Sequence, residues 1–394
     1  MKKSTLVFVV LCCLSAILDV GCGGGSSNTP KVSKLAKRAF VVVTSPTAVS
    51  DVIDILDASK DQFSAFTITL PISRTTLAQP GANNTTLAFG AGDNAIAIVD
   101  NTKETAQSAS NLTAIALPGA TESMVETTDA KTIYAAIRST SQVSVLDVGT
   151  FAVTTNVTVP SVRRLVLAHN NSKMLAFSDN SNSLTVLNTA DNTTTAVSGF
   201  DRPFFAVFSS DDSKAYVLNC GPECGGSAAG VTVLDMTQPS LTPGATVPLP
   251  AATTALMDSG KLYVAGTVAT VGNSTGTGQL SIIDLGSFTP ANPSGGPIQI
   301  GNGFHSLVSL AGNNKLFVGA KTCSTGCLSI VDLSAGTAAI DSSPGDVTGI
   351  APIPGRNVVY VTVGGELRMI DTTTSKPQAN QLDIVGTAAG VVAP

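Results

Sequence analysis

Residues 143–147 read VSVLD: Val143, Ser144, Val145, Leu146 and Asp147. The same figure, a short apolar run closing on an acidic or amide side chain, recurs along the chain. It closes at Asp57 (DILD), Asp100 (AIVD), Asn188 (TVLN), Asp235 (TVLD), Asp284 (SIID), Asp332 (SIVD) and Asp371 (RMID). Eight such positions read either as a set of ligands or as punctuation in a repeated fold. Two features favour punctuation. Asn188 stands where the other copies have Asp, which a role depending on charge would not allow. Ser, Thr or Gly follows within a few residues, as in Asp100-Asn101-Thr102 and Asp371-Thr372. That is the composition of an Asx turn, in which the side-chain oxygen accepts backbone N–H groups and reverses the chain. The motif counts repeats.

Around each copy stand three further parts. A polar turn with a basic end comes first, as in TDAK (128–131), NNSK (170–173), DDSK (211–214), DSGK (258–261) and GNNK (312–315). A strand with an aromatic or apolar second residue follows: AFVVVT (39–44), IYAAI (133–137), AYVLN (215–219), LYVAG (262–266), LFVGA (316–320) and VYVTV (359–363). A loop leads to the VSVLD-type strand. A fourth element, such as AVTTNVTVP (152–160) or PGATVPLP (243–250), then precedes an inner apolar run such as RRLVLAH (163–169) or FFAVFSS (204–210). Apolar runs this short, rich in Val, Ile, Thr and Ala and broken by Asn, Asp, Gly, Ser and Pro, are strand chemistry. No stretch holds a helical period for three turns, so helices should be nearly absent.

Eight units over residues 38–394 give about 45 residues each, the period of a four-stranded β-propeller blade. With polar turn, Lys, x-Tyr-Val and Val-x-Val-x-Asp in register, the chain resembles the YVTN family of β-propeller repeats. AYVLN and VYVTV are its nearest matches, and the likeness covers nearly all of 38–394. The resemblance implies an all-β ring of four-stranded antiparallel blades. The count gives eight blades, whereas propellers of that family commonly have seven. The chain begins at a second strand, AFVVVT, and finishes on AAGVVAP (388–394), which reads as an inner strand. The C-terminal strand should therefore pair with the N-terminal ones, complete one blade and remove two open sheet edges.

Ahead of the repeats, Lys2 and Lys3 precede an apolar run from Leu6 to Leu18, the layout of a secretory signal over residues 1–21. The run is shorter than the roughly 20 residues of a membrane span. LDVGCGGGSS (18–27) resembles the bacterial lipoprotein processing box, although Asp19 stands where that family usually has Leu. The resemblance implies cleavage before Cys22, lipidation of Cys22 and, with Gly23 and not Asp following, sorting to the outer membrane. Residues 22–36 are Gly/Ser-rich tether chemistry, and 37–394 is the propeller. Four cysteines remain, in two local pairs, Cys220/Cys224 and Cys323/Cys327. In an exported chain these read first as disulfides closing small loops. A metal site is the alternative, but zinc prefers Cys-x2-Cys or nearby His.

The formal charge is −5 and only 12% of residues are charged, with no basic run, so nucleic acid is an unsuitable partner. Only two histidines exist, His169 and His305. Metal, haem and nucleotide signatures are lacking, so no cofactor or metal is expected. Small-molecule chemistry on a propeller is expected where the inner strands enter the channel. Arg74, Glu122, Arg163, Arg164, Arg202, His305 and Asp346 should gather there, with the hydroxyls of Thr253 and Thr387. Arginine forks suit an anionic ligand; the bland reading is a solvated rim whose charges offset each other. Three segments carry the most loop chemistry: 219–230, 266–279 and the cysteine-bearing 321–327.

The leading expectation is a monomeric, lipid-anchored envelope protein. It binds a protein or envelope polymer without catalysis. An enzyme is the second reading. Some proteins similar at fold level are lactonases or quinone-dependent dehydrogenases, but the chain has no Trp for quinone docking. A surface-layer or adhesion component is the third.

Overall fold

The computed structural model describes residues 32–270, 273–293 and 295–394. The signal segment and Cys22 lie outside the described residues. Eight antiparallel blades form a closed ring: an eight-bladed β-propeller. Blade 1 joins strands within 38–69 to the C-terminal strand, and blades 2 to 8 occupy 75–116, 121–158, 162–198, 203–248, 254–300, 304–340 and 347–377. Thr387–Val392 pairs antiparallel with Arg38–Thr44, setting Phe40 opposite Val392 and Val41 opposite Val391. The count of eight and the closure by the C-terminal strand both hold.

Each sheet is apolar on both faces because each is covered on both sides. Eight buried clusters result, one at each blade junction, such as Leu87, Ile98, Ile133 and Leu146 between blades 2 and 3. Stacking is what stabilises a sheet of this kind, since no blade can cover its own faces. The second strand of every blade contributes one buried aromatic ring: Phe40, Phe89, Tyr134, Phe177, Tyr216, Tyr263, Phe317 and Tyr360.

The eight acidic or amide residues each end the third strand of a blade. Every one turns the chain. Asp147 Oδ1 accepts Thr150 N–H at 2.6 Å and Thr150 Oγ1–H at 2.7 Å, and these bonds hold its carboxyl below the usual range. Asp57, Asp100, Asp235, Asp284, Asp332 and Asp371 accept in the same way from Ser59, Thr102, Thr237, Ser287, Ser334 and Thr373. Asn188 accepts Ala190 N–H at 3.2 Å with its amide oxygen.

Two expectations need correction. The ordered body reaches back into the segment read as tether. Ser33 N donates to Glu104 Oε2 at 2.6 Å, and Leu35 packs on the cluster between blades 1 and 2. An apolar Leu with an apolar seam beside it docks. Within 266–279, read as a loop, the described residues instead prolong a hairpin, with strands Lys261–Thr270 and Asn273–Asp284 in antiparallel register. The β-branched Thr267 and Val268 favour an extended ladder there.

Candidate functional site

The inner strands do not run straight into the channel. In seven blades the pairing of the inner strand with the second strand slips by one residue near its start. Such a β-bulge leaves one residue unpaired, bends the strand and re-aims a side chain. The slips leave out Thr76, Arg163, Phe204, Ser306, Thr348 and Ala389, and span Glu122 and Ser123. Five of these residues, Thr76, Glu122, Arg163, Phe204 and Ser306, line one cavity of about 290 Å³. Strands from blades 2, 3, 4, 5 and 7 contribute to it, so it occupies the central channel.

A second cavity of about 260 Å³ lies at the lip. Arg138, Asp179 and Glu223 come to it from turns between second and third strands, and Arg202 from the entry to an inner strand. Arg163, Phe204 and Phe304 line both cavities and so form the wall between them. The two phenyl rings meet edge to face, centroids 5.0 Å apart at 77°.

Most charges here are spent on one another. Arg163 pairs with Glu122 at 3.0 Å and Asp179 at 3.5 Å, and Asp179 also pairs with Arg138. Arg164 differs. It makes no ion pair among the described residues, and its guanidinium lies 4.6 Å from the Phe204 ring centre and 5.3 Å from that of Phe205. Burial, with Arg163 beside it, pulls its pKa down to about 10 despite some relief from Glu122. The exposed Lys321 lines the same cavity and has no ion pair among the described residues. Ser306 Oγ is buried without a hydrogen-bond partner. Two unpaired cations and an orphaned hydroxyl facing one cavity form an arrangement ready to accept an anion.

Other expected site residues sit elsewhere. Arg74 and Arg202 adopt left-handed backbone at the corners entering their inner strands (φ 51° and 54°). Arg74 lines neither cavity; Arg202 lines the lip, where its Nε donates to Gly225 O at 3.4 Å. Asp346 accepts Thr322 N–H at 2.7 Å, tying blade 8 to blade 7. His305 is buried: Nε2–H donates to Gly301 O at 3.0 Å, and Nδ1 lies 3.3 Å from Thr267 Oγ1. Burial pulls its pKa down to about 4, so the ring is neutral. Thr253 Oγ1 donates to His305 O. Thr387 opens the closing strand. His169 meets Asp212 at 2.7 Å, away from both cavities.

The cysteines form two disulfides, Cys220–Cys224 and Cys323–Cys327. The first closes a 3-10 turn, Gly221–Cys224, that delivers Glu223 to the lip. Burial pushes the Glu223 carboxyl up to about 7, partly countered by the Thr267 N–H it accepts at 2.8 Å. Among the described residues no three His, Cys, Asp or Glu side chains group as a metal ion requires.

Of the residues expected at the channel rim, Glu122, Arg163, Arg164 and Arg202 line these cavities, together with Phe204, Phe304, Ser306, Lys321 and Glu223, which the rim expectation did not include. A strict two-residue alternation hides a one-residue bulge. In three blades a charged residue, Arg74, Arg202 or Asp346, stands two places ahead of the bulge and is the signal the sequence offers.

No family model and no curated protein matches the sequence. Solved structures do match by shape. Dihydro-heme d1 dehydrogenase NirN, in complex with DHE, superposes with a TM-score of 0.66 at 15% identity, over 91% of this chain and 75% of that one. Hydrazine synthase of Kuenenia stuttgartiensis gives 0.59 at 12% identity, over 77% and 96%. Apo AztD from Citrobacter koseri gives 0.57 at 13%, over 91% and 97%. At such identities the likeness is one of fold, the eight-bladed propeller.

Proposed function

We propose that this chain is a binding propeller of the bacterial envelope, exported, tethered through a lipid on Cys22, that captures an anionic group of its partner at the channel mouth without catalysis. The observation that carries the reading is Arg164. A half-buried cation resting on aromatic rings without an ion-pair partner is costly. Here the cost is borne by a side chain that also has two aromatic rings, an unpaired Lys321 and an orphaned Ser306 hydroxyl around it. An incoming carboxylate or phosphate supplies what all three lack. The disulfide beside the lip keeps its wall preformed, which lowers the ordering cost of binding. The hydrolytic alternative has no histidine in either cavity, and His305 is already engaged. The seven-repeat family resemblance remains a proposal of kinship only.

Calorimetric titration at low salt tests this with galacturonate and glucose 1-phosphate against galactose. The anions should bind and the neutral sugar should not. Arg164→Gln should weaken anion binding by about tenfold to a hundredfold, the worth of charge-assisted hydrogen bonds. Equal binding of galactose, or an unaffected variant, overturns the reading. Turnover of a lactone panel by the wild-type chain overturns its non-catalytic part. Release of a Cys22→Ala chain from membranes, with loss of palmitate labelling, is the expected result for the anchor.

A further inference from the structure

Resting on that anion site, we infer that the lip and channel cavities are successive subsites for one linear acidic saccharide, which passes between them along Phe204 and Phe304.

Size comes first. Ligand sites usually measure about 300–1,000 Å³. The cavities, at about 260 and 290 Å³, each fall just short alone and together lie well inside that range. Their shared wall is two phenyl rings and one arginine, not backbone, so a ligand that displaces or lies across those rings spans both.

Charge is distributed to suit such a chain. After Glu122 and Asp179 have paired with Arg163 and Arg138, three cations of the cavity lining remain without an ion pair among the described residues. Arg202 is in the lip; Arg164 and Lys321 are in the channel. An unpaired cation thus lies on each side of the aromatic wall, as a ligand carrying repeated negative groups requires. Hydroxyl and amide groups stand beside them, Thr76, Thr121 and Ser306 within and Ser178 and Asn180 at the lip, with Leu77, Pro203, Cys224 and the Glu223 carboxyl completing the lining. Hydroxyl partners and aromatic rings beside them suit the two sides of a sugar ring, one polar and one made of C–H groups. Polyphosphate has nothing to offer the phenyl rings. A folded protein surface cannot enter chambers this narrow, whereas a single extended chain can.

The test uses the whole exported chain with galacturonate and its linear oligomers of increasing length, methyl-esterified oligomers as the neutral control, and polyphosphate as the competing anion. Affinity should rise at least tenfold from monomer to short oligomer and then level off. Arg202→Gln should weaken the oligomers about tenfold while leaving the monomer unchanged, and Arg164→Gln should weaken both. Phe304→Ala should weaken oligomers more than the monomer; Arg202→Gln, at the rim, serves as the folding-safe variant should Phe304→Ala prove unstable. Monomer binding as tight as oligomer binding, or an Arg202→Gln chain that treats both lengths alike, overturns the two-subsite inference and leaves the anion site standing. Polyphosphate matching the saccharide overturns the ligand class. If Arg164→Gln changes nothing, the underlying site has failed as well.

Discussion

Two arginines in this ring occupy opposite electrostatic conditions. Arg356 sits at the seam where blade 8 meets blade 1. Its two terminal nitrogens take both oxygens of Asp61, it donates also to Ala58 O, and Tyr360 Oη–H donates to the same carboxylate at 2.5 Å. The Asp61 hydrogen bonds raise its pKa. Arg164 rests on aromatic rings with no carboxylate, and burial lowers its pKa to about 10. The first cation is saturated by its own fold, the second left open. A closed set of partners marks a structural arginine; an open one, retained at a cost, marks a place for something else.

The contrast breaks first at the seam. Asp61→Ala should destabilise the chain by about 3 kcal/mol, since it strands a half-buried guanidinium and a tyrosine hydroxyl. Both side chains keep some exposure, 23% for Arg356 and 14% for Asp61, which places the effect at the low end for a broken pair. Thermal unfolding should shift down by several degrees while anion affinity stays as in the wild type. The pH signature has a definite sign. Burial alone would raise the Asp61 pKa, but the hydrogen bonds from Arg356 and Tyr360 hold it below its ordinary value. Its stabilisation is therefore full above pH 4 and lost as pH falls through the depressed value. A variant as stable as the wild type would mean the ring closes on its strand pairing alone.

The closure of the ring at that seam was legible in the sequence, its ion-pair lock was not, and the channel was legible only partly. Strand type, blade count and closure follow from apolar runs, the VSVLD counter and an inner strand left over at the C-terminal side. These depend on periodicity, which a sequence carries openly. The Asp61–Arg356 lock is not periodic. Its residues lie 295 positions apart and meet only because the ring closes. The channel mouth depends on bulges that shift seven of the inner strands by one residue, so His305 was expected where Ser306 lies. Arg163 and Arg164 survived because two arginines in succession straddle the slip. Glu223 was hidden inside a cysteine pair that drew attention to its sulfurs.

The next test sharpens the comparison from the other side. Replacing Arg164 by Met should leave stability unchanged or raise it by about 1 kcal/mol, because a desolvated unpaired charge is removed and an apolar stem still covers Phe204. Denaturant unfolding reads this directly. The same substitution at Arg356 should destabilise. A fall of 2 kcal/mol or more in Arg164→Met would show that its aromatic contacts hold the inner strand, making it as structural as its counterpart at the seam.

The smallest effect concerns Glu223, a carboxyl in the mouth that makes no ion pair among the described residues, whereas Glu122 and Asp179 are paired by Arg163 and Arg138. Glu223 lines the lip with Arg138, Arg163, Asp179 and Arg202, yet its pKa is set by burial and by Thr267 N–H, not by a cation. With a value raised to about 7, the folded chain binds this proton more tightly than the unfolded chain does. Its contribution to stability is full near pH 4 and declines as pH rises through 7. Anion binding in the same lip shares that direction, because an arriving negative charge is repelled by ionised Glu223 and tolerated by the neutral acid. Affinity for a lip-reaching anionic oligomer should therefore rise a few-fold between pH 8 and pH 6, with a fraction of a proton, at most about half, taken up when titrations near pH 7 are compared in buffers of different ionisation enthalpy. Glu223→Gln should fix the affinity at its low-pH value and abolish the uptake. Reduction of Cys220–Cys224 should loosen the turn that holds Glu223 and blunt the same pH dependence, whereas reduction of Cys323–Cys327, which does not carry the carboxyl, should leave it in place. A pH profile unchanged in Glu223→Gln would assign the proton to another group and leave the lip open at Arg202 alone.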